Sequence, residues 1–135
     1  MFDPRTRILI ADDMKMMRRM VGNSLKTLGY SDFVEAEDGA AAWDMLTNAR
    51  PPVGLIISDW NMPNSTGLDF LKRVRSDTRF KQLPFILVTA ESEKQQVAEA
   101  MAAGVSNYLL KPFDAESLKV KIQATWDKIH QSAAA

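Results

Sequence analysis

The sequence predicts an α/β fold: a doubly wound, mainly parallel sheet of five strands with helices on both faces. Three observations carry that expectation. Five short apolar runs alternate with five stretches of helical period along the 135 residues, the pattern of repeated strand–helix crossovers. The runs at 55–57 and 85–88 are apolar without alternation, as strands buried on both faces are. Four of the five runs end on polar side chains, and such sheets gather ligands outside the carboxyl ends of their strands.

Arg7 to Ala11 reads as the first strand, closed by Asp12-Asp13. From Met14 to Leu28 the period lengthens. Met17, Met20 or Val21, Leu25 and Leu28 recur on one face, while Lys15, Arg18, Arg19 and Lys26 take the other. Gly29 is placed to end that helix. Met17 and Met20 are expected in the core, where an unbranched thioether fills irregular gaps. Phe33 to Ala36 is a short second strand, and Glu37-Asp38-Gly39 turns into a helix over 40–48 that buries Ala42, Trp43 and Leu46. Pro51-Pro52-Val53-Gly54 is a loop by composition. Leu55 to Asp59 is the third strand, and Pro63 bars its continuation. Trp60 is expected to be an exposed or half-buried loop residue.

Gly67 to Ser76 is the third helix, with Leu68, Leu71 and Val74 inward. Pro84 to Thr89 is the fourth strand. The fourth helix is expected over 92–103, with Ser92 and Gln95 at capping-box spacing, and stops at Gly104. Asn107 to Lys111 is the fifth strand, broken by Pro112. Asp114 is positioned to cap the last helix, in which Leu118, Ile122, Thr125 and Ile129 share a face. Gln131 to Ala135 is expected to fray.

Composition narrows the function. Lys plus Arg equals Asp plus Glu at 17 each, which argues against nucleic acid as a partner, since that needs a basic excess. No apolar run approaches the roughly 20 residues of a membrane span, and no signal-peptide pattern precedes the first strand. The absence of cysteine excludes thiolate chemistry and disulfides and fits a reducing compartment. With His130 the only histidine, no histidine pair can form. The expectation is a cytoplasmic single domain of residues 1–135, core about 6–131, with no membrane association.

The strand ends carry the chemistry. Asp12-Asp13, Asp59, Thr89 and Lys111 follow strands one, three, four and five and should meet at one edge of the sheet; the second strand offers no comparable group. Three carboxylates so close raise one another's pKa unless a cation joins them. Oxygen ligands without His or Cys suit Mg2+, with the backbone carbonyl of Asn61 as a further ligand. Asp59 is then the candidate nucleophile toward phosphorus, and Lys111 and Thr89 are placed to hold the transferred oxygens. No Walker A or glycine-rich loop supplies ATP, so the phosphodonor comes from elsewhere. Each residue alone is unremarkable: an acidic pair caps turns, a strand-end Thr and a surface Lys are common, and Tyr108 alone is an ordinary strand aromatic. Only the set is informative.

Taken together, Asp12-Asp13, Asp59 with Met62-Pro63 and Gly67, Thr89-Ala90 and Lys111-Pro112 resemble the receiver domain of two-component response regulators, over nearly the whole chain. The Met17-Arg18-Arg19 triplet, Ala36 to Gly39, Ser58 to Asn64, Val88 to Glu91 and Lys111 to Phe113 are similar to the stand-alone receivers of chemotaxis. The resemblance implies a flavodoxin-like (βα)5 fold with strand order 2-1-3-4-5. It implies Asp59 as phosphoacceptor, Asp13 as a direct Mg2+ ligand, Asp12 as holder of a metal-bound water, and Thr89, Ala90 and Lys111 around the phosphoryl group. Tyr108 is implied as the aromatic that swings inward on activation, and the Lys111–Pro112 peptide as cis. Asn61 and Glu91 match residues that tune hydrolysis of the phosphoryl group and imply a short-lived phosphoprotein. Ala90, Ser92, Lys94, Val97, Val105, Tyr108 and Lys121 are implied as the partner face.

The implied partners are a histidine kinase as donor, a flagellar motor switch protein as target, and a phosphatase; a monomer is expected. The implied protein is a switch with self-catalysed phosphorylation and dephosphorylation rather than an enzyme. Two departures stand out: Ser65-Thr66 replaces a Met-Asp pair before Gly67, where Thr66 can still cap the third helix, and Met14 replaces a phenylalanine. Three other readings compete. A stand-alone receiver could relay phosphate or modulate a kinase without touching a motor. An aspartate-nucleophile phosphatase of the haloacid dehalogenase type wants an Asp where Asn61 stands. A structural adaptor has no use for Asp13, Asp59, Thr89 and Lys111 together.

Overall fold

The computed structural model describes residues 2–90 and 94–134. Among these, five strands alternate with five helices: β1 (Arg7–Ala11), α1 (Lys15–Thr27), β2 (Asp32–Ala36), α2 (Gly39–Asn48), β3 (Leu55–Asp59), α3 (Gly67–Ser76), β4 (Phe85–Thr89), α4 (Lys94–Ala102), β5 (Asn107–Leu110) and α5 (Ala115–Ala134). All strand pairs are parallel, in the order β2-β1-β3-β4-β5. This is the flavodoxin-like arrangement that the resemblance implied.

Strand side chains alternate between faces, so each central strand feeds two cores. Leu9, Ile56, Phe85 and Leu87 pack with Ala42 and Leu46 of α2, Phe70, Leu71 and Val74 of α3, and Ala100 of α4. Ile8, Ile10, Leu55, Ile57, Ile86 and Val88 pack on the other face with Val21 and Leu25 of α1 and Leu118 and Ile122 of α5. Every residue of β3 and β4 is buried, which is why these runs carry no alternation in the sequence.

Local chemistry sets the helix ends. Thr66 Oγ1 accepts from the Asp69 amide (3.1 Å) while the Asp69 carboxylate accepts from the Thr66 amide (3.4 Å), a capping box that opens α3 despite the departure at Ser65-Thr66. Asp38 accepts from the Ala41 amide at 2.7 Å to open α2, and Asp114 accepts from the Ser117 amide at 2.8 Å at the head of α5. Gly29 takes φ +99° just past α1, a left-handed conformation that a side chain would oppose.

The structure corrects several expectations. Met20 is 49% exposed and Met17 is only half-buried; Val21 and Leu25 face the sheet instead, and the two methionines lie toward Pro112 and Phe113. Trp43 is half-buried: it meets Phe80 edge-on at 5.9 Å and lies under the Arg73 guanidinium at 4.2 Å. Trp60, expected at the surface, is 7% exposed, because the chain folds back over β3 and carries it into the α2–α3 core. β2 begins one residue early, at Asp32, which pairs with Arg7. α4 ends at Ala102, and the capping-box site at Ser92 lies outside the described residues. α5 runs on to Ala134 instead of fraying from Gln131. Arg50–Pro51 is a second cis peptide besides Lys111–Pro112.

Candidate functional site

The backbone ladder overshoots three strands by one hydrogen bond, and those bonds set the site. Past β1 the Asp12 amide donates to the Ala36 carbonyl (3.0 Å); past β3 the Trp60 amide donates to Val88 (2.9 Å); past β5 the Lys111 amide donates to Thr89 (2.8 Å). Asp12, Asp59 and Lys111 therefore stand at the carboxyl ends of three strands that are tied to their neighbours. Lys111 Nζ lies 3.1 Å from Asp59 Oδ1 and 3.4 Å from Asp12 Oδ2. Carboxylate oxygens of Asp12, Asp13 and Asp59 all fall within 4.8 Å of one another. Asp12 and Asp59 are buried, and Asp13 is exposed above them.

Electrostatics explains why this group wants a cation. Burial pushes the Asp59 carboxyl above the usual carboxylate range, and the neighbouring Asp12 charge adds to it, against the opposing pull of Lys111. Burial likewise raises Asp12, offset in part by the Met14 amide, which donates to its Oδ1 at 2.9 Å. Three ionised carboxylates and one ammonium leave two negative charges, which one divalent ion would neutralise. The donors are all oxygen, so the set fits a hard ion such as Mg2+ and could hold one. The chemistry available is attack by a carboxylate oxygen on an electrophile whose charge is stabilised by an adjacent ammonium.

Other expected residues distribute as follows. Thr89 ends β4 and is fully buried; Ala90 and Asn61 are exposed at the same edge. The Lys111–Pro112 peptide is cis. Tyr108 is half-buried against the α2–α3 core. Glu91 and Ser92 lie outside the described residues, and Lys94 opens α4. Val97 and Lys121 are half-buried, but Val105 is 4% exposed and belongs to the core, so it supports the expected partner face from within without presenting surface.

Two supports were missed in the sequence. Arg18 was assigned to the solvent face of α1, yet its Nη1 donates to the Asp12 carbonyl at 2.7 Å while its Nε pairs with Glu35 at 3.0 Å. It thus ties α1 and β2 to the end of β1. Nothing in the local pattern distinguishes Arg18 from Arg19, because its partners come from other strands. The second is the packing role of Gly67, which the sequence marks as a helix start and as part of the receiver resemblance but not as a support. Its amide donates to the Trp60 carbonyl at 2.8 Å, and a Cβ there would overlap the Asp59 carbonyl oxygen. A glycine at a helix's first position, soon after a functional strand end, was the available signal.

A parallel α/β sheet with acidic, hydroxyl and ammonium groups at its carboxyl edge defines a class of small signalling domain. The response regulator receiver domain family matches residues 8–123. Chemotaxis protein CheY1 of Helicobacter pylori is 47% identical over 117 residues, covering 87% of this chain and 94% of that protein. Chemotaxis protein CheY of Pseudomonas aeruginosa is 44% identical over 124 residues, covering 92% and 98%. Among solved structures, the chemotaxis response regulator CheY4 of Vibrio cholerae superposes with a TM-score of 0.81 at 35% identity, over 90% of this chain and 98% of that one. The chain belongs to the response regulator receiver family. Among the described residues no helix is long and apolar enough to cross a membrane.

Proposed function

We propose that this receiver is a phosphorylation-activated switch of a chemotaxis pathway, taking its phosphoryl group on Asp59 from the phosphohistidine of a histidine kinase. The observation that carries the reading is the Lys111 ammonium 3.1 Å from Asp59 Oδ1 within a cluster of three carboxylates. An Asp59 oxygen attacks phosphorus as the phosphorus–nitrogen bond of the donor breaks and the electron pair leaves with the imidazole. Lys111 neutralises charge on the transferred oxygens, and Thr89 supplies a hydroxyl to them. Asp12, Asp13, Asp59 and the Asn61 backbone carbonyl would hold Mg2+, which when bound neutralises the carboxylates and draws charge from the phosphoryl oxygens. Water later cleaves the acyl phosphate to inorganic phosphate, with Asn61 and Glu91 setting how readily it enters.

The output follows from the new charge. Drawing Thr89 toward the phosphoryl group frees room for Tyr108 to turn inward, which alters the face carrying Ala90, Ser92, Lys94, Val97 and Lys121. The CheY relatives support chemotaxis as the setting; the target of that face proposed here, from the family resemblance, is a flagellar motor switch protein. Asn61, where the dehalogenase-type phosphatase needs an acid, speaks against that alternative.

The test is intact mass after incubation with Mg2+ and a small acyl phosphate. One phosphoryl adduct is expected on the wild type and none on Asp59→Asn. An adduct that persists in Asp59→Asn, or sustained turnover of varied phosphoesters, overturns the reading. Pull-down with a phosphate mimic against a motor switch protein then tests the output.

A further inference from the structure

Sulfur is confined to thioethers in this chain, which has eight methionines and no cysteine. Four of the eight fall within residues 14–20, and three of those four are exposed: Met14 (56%), Met16 (71%) and Met20 (49%). Methionine ordinarily lies inside, and leucine serves a helix surface equally well. A cluster of solvent-facing thioethers at the head of α1 therefore needs a reason of its own.

Met20 differs from the other two in what lies beneath it. With Met17, Ala90, Pro112 and Phe113 it lines an apolar groove of about 350 Å3 between α1 and the turn after β5. Lys111 forms part of the same wall, while its ammonium is held by Asp59 at 3.1 Å and Asp12 at 3.4 Å. Phe113 packs against the core that holds Val21, Leu25 and Leu118. The inner side of Met20 is thus joined to the carboxylate cluster through the consecutive residues Lys111, Pro112 and Phe113, and its outer side is open to solutes.

We infer that Met20 is a redox modification site: a peroxide oxidises its thioether to the sulfoxide, and the groove transmits the change to Lys111. A sulfur lone pair attacks one peroxide oxygen, and the sulfur–oxygen bond forms as the oxygen–oxygen bond breaks. Sulfur gives up two electrons and the peroxide takes them. For hydrogen peroxide, the departing hydroxide collects the proton of the transferred oxygen and leaves as water. A dithiol reductase reverses the step, yielding thioether, disulfide and water. The sulfoxide is polar, and Met17, Ala90, Pro112 and Phe113 offer it no side-chain donor. Oxidised Met20 therefore turns out to water and uncovers Pro112 and Phe113. Met16 is more exposed but does not line this groove, so its oxidation should be silent. Loosening Lys111 weakens its hold on Asp59 and slows phosphoryl uptake, a last step that rests on the role proposed for Asp59 above.

The test treats the full chain with hydrogen peroxide in EDTA and follows it by peptide mass spectrometry and amide NMR. One added oxygen is expected on Met20, with shifts of the Lys111 and Phe113 amides that track it and reverse with methionine sulfoxide reductase. Met20→Leu, which keeps the apolar cover, should lose that response while Met14 and Met16 still oxidise; Met16→Leu should respond as the wild type does. Met20→Gln, unbranched and polar, should show the displaced amides without oxidant. Uptake from a small acyl phosphate with Mg2+ should slow by about two- to tenfold on oxidation, the span of one sulfur–aromatic contact. Met20 left unmodified while Met16 and Met101 oxidise, amides that do not move with it, Met20→Leu still responding, or unchanged uptake would each overturn the inference. The amide shifts need no phosphoryl group, so absence of any adduct on the untreated wild type would instead count against the phosphorylation reading alone.

Discussion

Gly67→Ala is a one-methyl change whose effect follows from packing. A Cβ at Gly67 would stand far inside 3.0 Å of the Asp59 carbonyl oxygen, and 3.0 Å from both the Asp59 carbonyl carbon and Leu87 Cδ2, against 3.4–4 Å for ordinary contact. Leu87 can turn, but the carbonyl belongs to the backbone of a buried strand, so α3 or the end of β3 must shift. The shift strains the hydrogen bond from Gly67 to Trp60 and moves Asp59 itself. Overpacking a core with one added group costs about 1–3 kcal/mol, and a rigid backbone obstacle puts this site near the top of that range. With a urea slope of about 2 kcal/mol per M, the midpoint should fall by about 1.5 M. Gly22→Ala is the internal control, since its added Cβ meets only Phe33 ring atoms at 3.9–4.0 Å. Within α1 it should stabilise by about 0.5–1 kcal/mol, through the helix preference of Ala over Gly. Urea unfolding followed by Trp fluorescence measures both, and Mg2+ titration of the same samples should show weakened binding for Gly67→Ala alone. Equal midpoints for Gly67→Ala and wild type, with equal metal affinity, would refute this account of how α3 positions Asp59.

Asp59→Asn should raise the melting temperature of the metal-free protein at pH 7. The folded pKa of Asp59 lies above its unfolded value of 3.8, so its ionised form opposes folding. That penalty is complete above the folded pKa and vanishes as pH falls below 3.8, so the gain on substitution should shrink in acid. Circular dichroism melts in EDTA across that window check it; a lowered melting temperature at pH 7 would contradict it. Added Mg2+ should raise the wild-type melting temperature by mass action and move Asp59→Asn far less. Arg75→Met, which strips donors from the carbonyls of Gly104, Phe80 and Leu83, should cost about 3 kcal/mol in urea unfolding, at the upper end for an unpaired buried polar group. Thr66→Ala, which opens the capping box of α3, should cost about 1 kcal/mol by the same measurement.

The sheet was legible because its central strands are extreme. Leu55-Ile56-Ile57 and Phe85-Ile86-Leu87-Val88 are buried without interruption, and only a sheet covered on both faces explains such runs at that length. Asp12, Asp59 and Lys111 were legible because each falls at the last residue of a strand or one step beyond it, where apolar pattern gives way to chemistry. What escaped was non-local. The exposure of Met20 depends on how far α1 rotates about its axis, and apolar character alone does not separate it from its buried neighbour Val21. Trp60 is pulled inward by a loop whose path is fixed by Gly67, seven residues on. Arg18 is set apart from Arg19 only by partners on β1 and β2, which no spacing within α1 reveals.

The overshoot of the ladder past β1, β3 and β5 means that the reactive atoms take their spacing from main-chain bonds in the middle of the molecule. Helix exteriors contribute little to that spacing. The outward residues of α4 and α5 are thus free to change from one descendant of such a gene to the next, acquiring new correspondents while the rim keeps its dimensions. Message and addressee are written on different parts of the same small object.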